Sequence, residues 1–226
     1  MADQFSLDSI IPEMMGKTFG LYADITYTRD FLIRDFILNG LEDNGVICIV
    51  TLTQGANKVI DELSSISDDA AMIVNEAILN ERLQIVDMYS FRSGIPEEIA
   101  PGTYYLETAS DLTSLSIQLN KISSIFDKLR IVINPLSLLA VYAPSGSLLN
   151  FLQTLSARVT KRNQTCLLIL DSGVIEPVEL SKIESVLDGM IELQRDESLG
   201  KFGEKFRIKF MRGLRDTPYF DWTLVA

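Results

Sequence analysis

Apolar residues in this chain gather into five short runs separated by longer stretches with helical spacing. The runs are FGLYA (19–23), VICIVTL (46–52), LQIVDMY (83–89), RIVIN (130–134) and TCLLILDSG (165–173). They are apolar on both faces, as strands buried between helices in a parallel sheet are. After the first run, Phe31, Leu32, Ile33, Phe36, Ile37, Leu38 and Leu41 make one wide apolar helical face. Asp30 is the predicted N-cap of that helix and Gly40 its stop. Further helices are predicted over 56–63, 69–79, from Ser110 or Asp111 to about Lys128, and over 147–160. The last of these ends at Lys161 and Arg162, where a helix C-terminus favours positive charge. The stretch 92–105 carries Gly94, Pro96, Pro101 and Gly102 and reads as a surface loop.

The tail has a different texture. From about Gly189 onward, MIELQR, EKFRIKFMRG and PYFDWTLV alternate in character and are joined by short polar turns. That pattern predicts antiparallel strands added to the sheet. Strand and helix alternation elsewhere predicts an α/β fold, and right-handed crossovers make the five earlier strands parallel. A ligand site would then lie along their carboxyl ends, at Asp24, Thr53, Gln54, Asp87, Asn134 and Asp171. The organisation expected is an N-terminal segment over 1–17 followed by a single domain over 18–226.

The first run, its loop and its helix form the frame in which a phosphate-binding loop would sit. Such a loop reads G-x-x-x-x-G-K-[ST], because glycines let backbone N–H groups approach phosphate, the Lys neutralises charge and the hydroxyl holds Mg²⁺. Here the eight positions are Ala23, Asp24, Ile25, Thr26, Tyr27, Thr28, Arg29 and Asp30. Both glycines are replaced, by Ala23 and Thr28, and the hydroxyl position is Asp30. With Ile25 and Tyr27 adding bulk, the loop is expected to collapse toward the sheet and leave no phosphate-sized cavity at the helix N-terminus. The tripeptide Gly16-Lys17-Thr18 is no substitute, since it precedes the strand and Ile11 stands where its first glycine would be.

Composition removes whole classes of function. The 226 residues carry a net charge of −11, so a nucleic-acid binder or a protein held on anionic membranes is not expected. No apolar run is long enough for a transmembrane helix and no signal peptide is evident, which predicts a cytoplasmic protein. With no histidine in the chain, Ser-His-Asp and Cys-His triads and histidine zinc sites are excluded. Cys48 and Cys166 lie inside strand-like runs and read as buried, reduced thiols, with no metal site expected.

Several phrases, taken in order, resemble the KaiC-like branch of the RecA superfamily of ATPases. They are FILNGLEDNGVICIV (36–50), SDLTSLSIQL (110–119), IVINPLSLL (131–139), LDGMIELQR (187–195) and IKFMRG (208–213). The resemblance runs from about residue 7 to the C-terminus. It implies a RecA-like three-layer sandwich with a mostly parallel central sheet and antiparallel C-terminal strands. It also implies an ATP site, and there the chain departs from the family in three separated segments. The phosphate loop is degenerate at Ala23, Asp24, Thr26, Thr28, Arg29 and Asp30. The positions where the family carries adjacent water-activating glutamates are Thr53 and Gln54. The strand-ending Asp that supports Mg²⁺ is Asn134. Asp24 and Asp30 would each cost about 4 kcal/mol per close contact with phosphate charge at an effective dielectric near 20. Arg29 offsets part of that but replaces neither the backbone cradle nor the metal site and base.

The resemblance therefore implies an inactivated member with no cofactor, a regulatory or scaffolding subunit that self-associates or pairs with an active KaiC-like ATPase. The alternatives are a nucleotide-binding switch or weak ATPase with an atypical loop, and a module binding another small ligand through Asp87, Asp171 and Arg29. Lys209 and Arg212 resemble a basic strand end that in this family reaches the nucleotide of a neighbouring subunit. Together with the apolar N-terminal segment, including Phe5 and Ile10, they form the expected interface.

Overall fold

The computed structural model describes residues 14–92, 94, 99–108, 110–199, 203–212 and 220–222. Its strands are β1 (Thr18–Ala23), β2 (Val46–Thr51), β3 (Leu83–Asp87), β4 (Thr103–Tyr105), β5 (Leu129–Asn134), β6 (Thr165–Asp171), β7 (Gly189–Arg195), β8 (Glu204–Met211) and β9 (Phe220–Trp222). They form a nine-stranded sheet in the order β4-β3-β2-β5-β6-β1-β7-β8-β9. The helices are α1 (Tyr27–Glu42), α2 (Ala56–Ser64), α3 (Asp68–Leu79), α4 (Leu112–Ile125), α5 (Leu136–Tyr142), α6 (Ser145–Arg162) and α7 (Pro177–Val186). The fold is the expected α/β sandwich of RecA type, with a mostly parallel sheet between two helical layers.

Alternation along the strands divides the core. In β2, Ile47 and Ile49 face α1, α2 and α3, while Cys48 and Val50 face α4, α5, α6 and α7. Phe19, Leu32 and Phe36 have no accessible surface, and burying a side chain of that size contributes about 1.5–3 kcal/mol. The two cysteines are free and buried between these layers. Burial pushes the Cys48 thiol up to about 12 and raises that of Cys166 as well.

Five details differ from the sequence pattern. α1 begins at Tyr27, three residues before Asp30, because Thr26 is the N-cap and its hydroxyl accepts from the Arg29 N–H at 3.3 Å. Asp30 instead sits in the first turn, where the helix dipole favours a carboxylate. The helix also continues past Gly40 to Glu42. That glycine serves close packing: a Cβ there would lie 2.6 Å from Ile47 Cδ1 and 2.9 Å from Arg130 Cδ. Within the stretch read as a loop, Thr103–Tyr105 adds a short parallel edge strand to β3. β7 joins the two parts of the sheet: it pairs antiparallel with β8, as expected from about Gly189 onward, but its other edge pairs parallel with β1. Finally, α5 and α7 are helices that the pattern did not predict: α5 is only seven residues long, and α7, with Pro177 at its start, buries only Ile183.

Residues 14–17 pack on the domain itself. Met14 is fully buried, and the Gly16 N–H donates to the Gln164 carbonyl at 2.8 Å. Phe5 and Ile10 lie outside the described residues.

Candidate functional site

Two places in this sheet invite a ligand, because adjacent strands there leave toward opposite faces. β1 leaves through α1 on one face and its neighbour β6 through α7 on the other. Likewise β2 leaves through α2 and α3, and its neighbour β5 through α5 and α6. Residues 23–30, where the sequence suggests a degenerate phosphate loop, stand at the first of these points and Thr53, Gln54 and Asn134 at the second.

The first point is closed by side chains. The register pairs Ala23 with Asp171, and the Ser172 N–H donates to the Ala23 carbonyl at 2.9 Å. The Ser172 hydroxyl donates to Asp24, and the Gly173 N–H reaches the Tyr22 hydroxyl at 3.4 Å. The connection from β1 to α1 is only residues 24–26. Arg29, on the first turn of α1, is 7% exposed and forms an ion pair with Asp171. Its Nε also donates to Asp30 Oδ1 at 3.1 Å, and its Nη2 lies 3.1 Å from the same oxygen. The Asp171 N–H in turn donates to the Ser137 hydroxyl at 2.6 Å. Thr28, standing where the second glycine would be, is buried and its hydroxyl has no partner among the described residues. Ile25 and Tyr27 are exposed, at 74% and 66%. Breaking a buried ion pair by removing one partner costs about 3–5 kcal/mol, so an incoming phosphate must displace a carboxylate already fixed by the fold.

The second point is open. A cavity of about 390 Å³ runs along the flank of α1, bounded by β2, β5 and α2. Ile33, Ile37, Ile49, Val59, Leu63 and Val132 line its apolar part. Arg34, Asn134, Thr53, Gln54 and Glu62 are among its polar lining, with Arg29, Asp30 and Asp171 at one end. The loop is short, as expected, and where no phosphate-sized cavity was expected at the helix N-terminus, Ile25, Arg29 and Asp30 stand at one end of this one. Arg29 closes the end of β1 without filling the space between α1 and α2.

The other sequence-predicted residues fall as follows. Gln54 is held in the turn after β2, its carbonyl accepting from the Thr51 hydroxyl at 2.7 Å and its amide donating to Glu62 at 2.8 Å. Thr53 is exposed and Asn134 half-buried at the end of β5. Asp87 is a structural cap rather than a ligand-binding group. Its Oδ2 accepts from the Ala56 N–H and Ser90 hydroxyl, at 2.8 and 2.7 Å, and its Oδ1 from the Tyr89 and Ser90 N–H groups, both at 2.8 Å. Lys209 pairs with Glu184 at 2.8 Å and with Glu192 at 3.1 Å. Burial pulls its ammonium down, but the hydrogen bonds to the two glutamates outweigh this and raise it above the ordinary lysine value. Arg212 is paired with Asp188 at 3.4 Å, its side chain 64% exposed. Asp188 precedes β7 and its carboxylate accepts from the Thr18 N–H, so Arg212 stands at the amino end of the sheet, opposite Asp171. Sequence reasoning overlooked Arg34, Glu62 and Ser172. Only the i, i+4 spacing from Asp30 to Arg34 hints that they line one groove.

The KaiC ATPase family model matches residues 29–219. The chain belongs to the KaiC family of ATPases. The match begins at Arg29, on the first turn of α1. In fold, this KaiC-family chain is similar to the KaiC-like protein PH0186 from the hyperthermophilic archaeon Pyrococcus horikoshii OT3, with a TM-score of 0.68 and 15% identity over 93% of this chain and 86% of that one. It is likewise similar to the flagellar accessory protein FlaH from Methanocaldococcus jannaschii, with a TM-score of 0.66 and 12% identity over 92% and 85% of the two chains. No curated protein matches its sequence significantly. Among the described residues no group of three or more Cys, Asp or Glu is placed to hold a metal ion, and no helix is long and apolar enough to cross a membrane.

Proposed function

We propose that this KaiC-family chain does not hydrolyse ATP and acts in the cytoplasm as a regulatory or scaffolding subunit, by self-association or by pairing with an active KaiC-like ATPase. The observation that carries the reading is the ion pair of Arg29 with Asp171, braced by Asp30. The one cation that phosphate chemistry would need is already neutralised within the fold. Replacement of both glycines, of the glutamate pair by Thr53 and Gln54, and of the metal-supporting Asp by Asn134 argues in the same direction. Without a nucleotide to bridge subunits, assembly would rest on other surfaces: the N-terminal segment containing Phe5 and Ile10, and the strand end carrying Lys209 and Arg212.

A second reading, a nucleotide-binding switch or weak ATPase, is favoured by membership of an ATPase family and by the open cavity beside Arg29. Calorimetric titration with ATP, with and without Mg²⁺, separates the two when read with phosphate release and light scattering. The proposal expects no saturable heat, no Mg²⁺-dependent turnover and an assembly whose mass ignores nucleotide. A Phe5→Asp plus Ile10→Asp variant should fold yet change that mass. Turnover above the uncatalysed rate overturns the non-catalytic reading. A strictly monomeric wild type that forms no complex with an active relative overturns the subunit role.

A further inference from the structure

We infer that the cavity at the β2/β5 switch point binds a small organic monocarboxylate with an apolar body, held through Arg34. This goes beyond the subunit role and holds or fails whether or not ATP is turned over. At about 390 Å³ the cavity lies near the lower end of the range for small-molecule sites, about 300–1,000 Å³. Its apolar part is built from Ile33, Ile37, Ile49, Val59, Leu63 and Val132, contributed by both helices and both strands. It therefore offers an apolar body a desolvated seat.

The polar groups select the head group by what they have left to give. Arg29 is committed to Asp171 and Asp30. Glu62 accepts from Gln54 and lies 3.9 Å from Lys58. Arg34 is half-buried, lines the cavity, and its guanidinium has no hydrogen-bond or ion-pair partner among the described residues. The Asn134 side chain, across the same cavity, is likewise unpartnered among them. Arg34 thus has no anion among the described residues, and its planar fork matches a carboxylate with two parallel hydrogen bonds. Asn134 adds a donor or an acceptor. Asp30, Glu62 and Asp171 share this lining, so a multiply charged phosphate is repelled far more than a single carboxylate is. The same charges would welcome an ammonium, but each already has a cation or amide donor.

The test uses the full chain with its Ile and Val methyl groups labelled, titrated with octanoate, octylammonium or octanol and followed by NMR. Octanoate should move the methyls of Ile33, Val59 and Val132 saturably, and bind more tightly than octanol and octylammonium. Arg34→Met should weaken octanoate about tenfold or more and leave octanol unchanged, with Arg34→Lys between the two. Glu62→Gln should leave octanoate binding unchanged or tighten it. If Arg34→Met fails to fold, the charge series on the wild type and the Arg34→Lys affinity decide. The proposal is overturned if octylammonium binds as tightly as octanoate. It is also overturned if the shifted methyls are those of Val174 and Ile175 on the other face, or if no saturable shift appears at millimolar octanoate.

Discussion

Replacing Asp171 by alanine isolates the contact that closes the phosphate-loop end of the sheet. The variant leaves Arg29 buried with Asp30 as its remaining counter-charge. The Asp30 side chain is 43% exposed, so its attraction is screened and covers only part of the loss. Breaking a buried pair from one side costs about 3–5 kcal/mol, and Asp30 brings the expected figure toward about 3 kcal/mol. For a domain of this size each kcal/mol shifts the melting temperature by about 2–4 °C, so the variant should melt roughly 6–12 °C below the wild type.

The same substitution should create what the wild type lacks, a cation facing an empty site at a helix N-terminus. Pyrophosphate at about a hundred times its dissociation constant would then return about 2.7 kcal/mol to Asp171→Ala by linkage. The wild type should gain nothing beyond the general salt effect, which a matched chloride series measures. Thermal melts of both proteins, with and without pyrophosphate, make the comparison. A variant melting within about 2 °C of the wild type would show that the pair holds little of the structure. Equal stabilisation of both proteins by pyrophosphate would show that Asp171 does not keep anions off Arg29, and the reasoning from closure to inactivity would fall.

Two further outcomes follow from buried groups elsewhere. Asp87→Ala should destabilise the domain by about 2–4 kcal/mol in urea unfolding, since four donors lose their acceptor and α2 loses its cap, whereas a loss under about 0.5 kcal/mol would contradict the capping role. Cys48 and Cys166 should resist a disulfide reagent such as Ellman's at pH 8 in the native protein and react fully in denaturant, because burial keeps both protonated far above that pH; fast native labelling of either would contradict their placement.

Much of this architecture is legible from the sequence because two-sided apolar runs such as VICIVTL have few other ways to be buried. What is not legible depends on pairings between distant segments. β7 reads like the strands that follow it, since its last residues, Leu193 to Arg195, pair with β8 and not with β1. Only the register of Phe19 with Gly189 shows that it lies parallel to β1. Thr103–Tyr105 is too short to carry a period at all. Asp30 made a plausible cap on composition alone, but Thr26 offers the same chemistry one turn earlier and leaves Asp30 free to brace Arg29. Asp171 could be placed at a strand end from its sequence context. That it reaches an arginine 142 positions away depends on the pairing of β1 with β6.

The lack of phosphate-loop glycines between β1 and α1 leaves intact the reason this sheet accepts ligands. That reason is topological: wherever neighbouring strands send their helices to opposite faces, no helix covers the gap above their carboxyl ends. This fold has two such gaps, and they have fared differently. At β1/β6, three contacts close the gap: the bonds of Ser172 to Ala23 and Asp24, and the Arg29–Asp171 pair. At β2/β5, Thr53 and Asn134 are uncharged and line a cavity that no side chain fills. Arg34, without a partner among the described residues, lines a partly apolar cavity at β2/β5, whereas at β1/β6 Arg29 already has its carboxylate, so a ligand is to be sought at the former gap and not at the latter.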